Sequence, residues 1–217
     1  MRPNYTMSIG RQDKGMSDTE KQHLLIAFGV LTLAFAISFA GGINGISLSI
    51  GFLFLLFISA ISVGTAFVFH ELAHRKLAKD YGCWAEFRMW RWGLMMALFL
   101  SMFGFVFAAP GAVMIRGYVT KEQSGKISAA GPATNWAVGS GFLALALGLN
   151  HTGLPFGTIM GFISFVNLFI GGFNLLPFGP LDGAKIFNWS KEKFVIIAAL
   201  IVSSLAVGHF FVPYYPI

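Results

Sequence analysis

Four runs of this chain, residues 22–70, 92–115, 127–181 and 194–217, contain no Asp, Glu, Lys or Arg. A helix that spans a bilayer needs about 20 consecutive, mostly apolar residues, so each run holds at least one candidate span and residues 127–181 hold two. With 56% hydrophobic and 11% charged residues, the chain lies far from ordinary soluble composition. The expectation is an all-α polytopic membrane protein with about five to six transmembrane helices. Its formal charge of +6 does not point to nucleic acid, because the basic residues sit in short segments beside apolar spans, as the positive-inside rule places them. A single cysteine, Cys83, excludes an intrachain disulfide and a cysteine-based zinc site.

Residues 1–22 mix Arg2, Arg11, Lys14 and Lys21 with Asp13, Asp18 and Glu20, and are expected to form a cytoplasmic N-terminal arm with little function. Residues 23–217 form the membrane-embedded domain. Residues 23–40 give the first span, turned by Gly41, Gly42 and Asn44. Residues 47–80 return inward as one long helix, apolar through Phe69 and ending in Arg75, Lys76 and Lys79. Residues 93–109 are apolar, but both flanks are basic and Pro110 and Gly111 interrupt the run. A segment that enters from the inner side and returns is therefore expected, with short extended pieces at 86–89 and 112–118 able to form a sheet edge. Spans at 127–149, 155–176 and 194–212 complete the chain. His151 is expected in a loop, and His209 against a neighbouring helix.

The chemistry centres on residues 67–79, FVFHELAHRKLAK. His70 and His74, four residues apart on a helix, project about 40° from each other and roughly 6 Å apart along the axis, so one metal ion can bind both. Glu71 directly follows the first histidine, where a carboxylate can act as general base toward water on that metal. The competing view of H-E-x-x-H is a polar helix end with solvated histidines. Catalytic zinc takes three protein ligands and keeps one position open. Asp182 is the only acid between Lys126 and Lys191, and by the span count it lies at the depth of the histidines. Its alternative role is a turn or helix-capping residue, since Asp182-Gly183 follows Pro180 closely. Asn174 is a candidate to assist at the substrate oxyanion, and Asn167 to hydrogen-bond between helices.

These residues resemble the site-2 protease family of intramembrane zinc metallopeptidases. Phe69-His-Glu-Leu-Ala-His74 looks like the family's first motif. Asn174-Leu-Leu-Pro-Phe-Gly-Pro-Leu-Asp-Gly183 looks like its second, and Ser128-Ala-Ala-Gly-Pro132 like the A-G-P element that opens the intervening helix. The likeness covers about residues 47–185. It implies His70, His74 and Asp182 as ligands of one zinc ion per chain, Glu71 as catalytic base, and membrane-spanning proteins as substrates. It also implies hydrolysis within the bilayer. The compact size goes with a prokaryotic plasma membrane, and the positive-inside count puts the N-terminus and the site toward the cytoplasm. The alternative class is a membrane metal-binding or metal-transport protein using the same cluster.

Overall fold

The structure is a computed structural model that describes residues 15–47, 49–106, 109–150 and 155–212. Most of the N-terminal arm and His151 lie outside the described residues. Helix α1, Asp18–Phe39, begins where the Ser17 side chain accepts the Glu20 N–H, with Asp18 and Glu20 in its first turn, where acids complement the helix dipole. It thus takes in the end of the arm assigned from sequence, and Glu20 is wholly buried. The chain turns through Gly42, whose φ of 82° suits a residue without Cβ.

Helix α2, Ile50–Val63, is capped by Ser49 and leads through a single π-helical turn, Gly64–Val68, into α3, Phe69–Asp80. Together they form the one long helix expected for residues 47–80. Strands β1, Trp84–Met89, and β2, Gly111–Arg116, pair antiparallel from Trp84↔Arg116 to Met89↔Gly111. Between them lies α4, Arg91–Ser101.

This pairing explains the doubly basic flanks. Antiparallel partners bring the start and finish of the segment side by side, and the 11 residues of α4 rise only about 16 Å against a hydrocarbon core of about 30 Å. The two extended pieces thus form a common base for the segment, as expected for one that enters and returns.

Helix α5, Lys121–Leu149, opens with a Thr120/Gln123 capping box and carries Pro132 inside. Helices α6, Phe156–Asn174, α7, Asp182–Trp189, and α8, Lys191–Phe211, follow. Among the described residues, four helices are long and apolar enough to cross a membrane: α1, the combined Ile50–Asp80 helix, α6 and α8. With its 29 residues α5 is long enough, but Asn135, Ser140 and several glycines make it less apolar. The outer faces of α2 and α8 expose Leu53, Phe57, Val195 and Val202, as helices bordered by lipid require.

The main core joins Ala27, Leu31 and Phe35 of α1 to Phe67, to Phe87 of β1, to Leu94 of α4 and to Val166 of α6. Phe87 meets Phe67 edge to face at 5.5 Å between ring centroids. The small sheet is thereby seated against the helix that carries the histidines. His209 is exposed rather than set against a neighbouring helix, because α8 buries little of its surface toward the bundle.

Candidate metal centre

His70 and His74 lie one turn apart on α3, with ring centroids 4.6 Å apart. Asp182 is the first residue of α7, not its cap, which is Leu181. The break after α6 allows α7 to start against α3. The Asp182 Oδ2 atom is 3.2 Å from His70 Nε2 and 3.1 Å from His74 Nε2. These three atoms converge on one point, as a metal site requires.

The partners of the histidines determine which nitrogens face that point. Asn135 Nδ2 donates to the Ala66 carbonyl at 2.8 Å, so its Oδ1 accepts from His70 Nδ1–H. His74 Nδ1–H donates to the Ile127 carbonyl at 2.7 Å. Both rings therefore present an unprotonated Nε2 toward Asp182, the arrangement in which imidazole ligates zinc.

Space is the second requirement, and Gly131 supplies it. A Cβ at this position would stand 2.5 Å from the Nε2 atoms of both histidines, where no side chain fits. Two neutral imidazoles and a carboxylate, with a glycine opposite, suit Zn2+ held by three protein ligands with one position open.

Glu71 is buried, and its Oε2 has no hydrogen-bond partner among the described residues. It lies against the backbone of Val113 in β2. A cavity of about 770 Å³ joins the parts, lined by His70, Glu71, His74, Asp182, Asn174 and residues 110–115. Asn174 thus lies beside the site, although its Nδ2 here donates to the Ile170 carbonyl of its own helix at 3.0 Å. Asn167 donates to Thr65 Oγ1 at 2.9 Å, the interhelical role expected of it.

Asn135 and the Ile127 carbonyl are the functional groups that sequence reasoning missed. A backbone carbonyl leaves no trace in a sequence. Asn135 does leave one, as the sole amide side chain in the uncharged stretch 127–149 of α5, where polar groups are costly without a partner. Replacing Asn135 by Ala is expected to weaken zinc binding about 10- to 100-fold, the usual effect of losing a group that orients a ligand. Competition against a fluorescent chelator measures this, and unchanged affinity would remove Asn135 from the site.

Comparisons with known proteins agree with this geometry. The chain is 40% identical over 183 residues to "Putative zinc metalloprotease MJ0611" of Methanocaldococcus jannaschii, covering 82% of this chain and 90% of that protein. It is 32% identical over 161 residues to "Zinc metalloprotease MJ0392" of the same organism, covering 70% of this chain and 40% of the relative. To "Putative zinc metalloprotease Rip3" of Mycobacterium tuberculosis it is 31% identical over 138 residues, or 61% of this chain and 31% of the relative. No family model and no solved structure gives a significant match. With a similar zinc metalloprotease aligned over nearly its whole length, and with two histidines and an aspartate converging beside a glutamate, the chain belongs to the site-2 protease-like family of zinc metalloproteases.

Proposed function

We propose that this protein is an intramembrane zinc endopeptidase that hydrolyses peptide bonds in or beside transmembrane segments of other membrane proteins. One observation carries the reading: the H-E-x-x-H residues sit on a helix, Ile50–Asp80, that is itself long and apolar enough to cross a membrane. His70, His74 and Asp182 would hold the zinc ion, which when bound would supply Lewis acidity to a water molecule and to the scissile carbonyl. Glu71, with one carboxylate oxygen unpartnered, takes the proton from the attacking water and passes it to the leaving amine. Asn174 can rotate away from Ile170 to donate to the oxyanion.

A helical substrate hides its peptide bonds, so it must unwind to be cut. Strand β2 pairs with β1 along one side, and no other strand pairs with it among the described residues. A peptide added to β2 beside Glu71 is held extended through its main chain. The basic ends of the apolar spans support a site facing the cytoplasm. The archaeal and bacterial sources of the relatives support a prokaryotic plasma membrane.

The test is purified protein in lipid vesicles with a single-span protein as substrate. Cleavage within or next to the span, stopped by a zinc chelator and restored by zinc, is expected. A metal-loaded protein that leaves every span intact but cuts unfolded soluble chains would overturn the intramembrane reading. In the same vesicles, cysteines introduced at Arg116 and Lys79 are expected to react with impermeant reagent from the same side. Reaction from opposite sides would turn the α4 segment into a crossing.

A further inference from the structure

Away from the candidate metal centre, the most completely buried charge among the described residues is Glu20, with no exposed surface. Its Oε1 accepts from Arg75 Nε at 2.7 Å and from the Phe87 backbone N–H of β1 at 3.0 Å. Arg75 directly follows the ligand His74 and donates from Nη2 to the Gly15 carbonyl at 2.6 Å. Ser17 caps α1 and donates to Glu86 Oε2 at 2.9 Å. The start of α1 therefore grips two things together, the metal-bearing helix at Arg75 and the sheet at Glu86 and Phe87.

An ion pair this deep is a poor way to gain stability, because the cost of removing both charges from water can exceed their attraction. It is, however, a directional way to fix one element against another. The Phe87 N–H taken by Glu20 cannot pair with a further strand. The remaining edge of the hairpin, on β2, borders the cavity and Glu71. Glu20 lines no part of that cavity.

We propose that Glu20 is a positioning residue for proteolysis: by tying β1 to Arg75 it sets the distance between the β2 edge and the metal centre, and it closes β1 to peptide. This rests on the peptidase reading and on strand addition at β2. A displaced edge weakens the main-chain hold on substrate in ground and transition states alike, so the loss appears chiefly in KM.

Three variants separate this role from simple stability. Glu20→Ala can fail by leaving the Arg75 charge buried alone, so the double variant Glu20→Leu with Arg75→Met removes both charges together. That double variant is expected to keep its zinc and a melting temperature near the wild type. It is also expected to lose about 10-fold in kcat/KM, carried mainly by KM, the scale of one weakened main-chain hydrogen bond. Glu20→Gln retains an oxygen acceptor for Phe87 and is expected to restore most of the lost KM. Hydrogen exchange at Phe87 and along β1 should quicken in the double variant and stay slow in Glu20→Gln.

Wild-type KM in the double variant, or exchange along β1 that does not change, would overturn the proposal. An equal KM loss in Glu20→Gln would do so as well, since the charge and not the tie to Phe87 would then be responsible. Exchange needs no substrate, so it judges the tie even if the wild-type protein cleaves nothing, an outcome that would count against the peptidase reading instead.

Discussion

Replacing Glu71 by Gln is expected to leave zinc bound and to lower kcat for a membrane-span substrate by about 10²–10⁴-fold, the usual contribution of a positioned acid–base group. The amide has nearly the shape of the carboxylate, and no bond to a neighbouring side chain is lost, since Glu71 Oε2 has no hydrogen-bond partner among the described residues. The ligand geometry rests on other groups: Asn135 and the Ile127 carbonyl hold the imidazoles. Zinc content and KM should therefore stay close to wild type while kcat falls. Metal analysis and single-turnover cleavage on the same preparation read both. Retained activity would exclude Glu71 as the base, and lost zinc would make it part of the metal site.

Asp182→Ala should have the opposite signature. On the proposed reading the carboxylate is the third protein donor; it lies 3.1–3.2 Å from the two imidazole nitrogens, and no other acid belongs to the candidate metal cluster among the described residues. If a binding energy of about 10–16 kcal/mol is shared among four ligands, losing one weakens zinc about 10²–10³-fold. Zinc stoichiometry after gel filtration in dilute chelator measures this. Added zinc should raise the melting temperature of the wild-type protein and hardly that of the variant, because a ligand stabilises only the fold that binds it. Tight stoichiometric zinc in Asp182→Ala would place the third donor elsewhere.

The convergence of His70, His74 and Asp182 was legible because it is written in local spacing and in scarcity. His70 and His74 are separated by one helical turn, and a lone acid in a long uncharged stretch demands a partner at depth. The expectation that residues 93–109 return rests on charge: Arg88 and Arg91 on one flank and Arg116 on the other could not both sit inside if the segment crossed. Pairing of Trp84 with Arg116 is the physical form of that argument.

What escaped was long-range and short-handed. The Glu20–Arg75 tie joins residues 55 apart, and Glu20 reads as an ordinary acid of a solvated arm until the fold buries it. Gly131 reads as a helix opener, whereas its missing side chain makes room beside the metal ligands. Neither role follows from periodicity or composition, because each depends on which helix happens to lie opposite.

The π-helical turn at Gly64–Val68 bears on how such a site can be tuned. A π-turn takes in one residue more than an α-turn, so everything after it sits about 100° around the axis from where an unbroken α-helix over the same residues would carry it. The turn lies just before His70, so it acts as an angular offset between the lipid-facing part of the helix and its catalytic end. Asn135 holds that offset at the Ala66 carbonyl while also holding His70. Rewinding this turn as regular α-helix over the same residues would rotate both histidines off Asp182 without touching a ligand. The aim of the metal centre is thus stored in the helix's winding as well as in its chemistry.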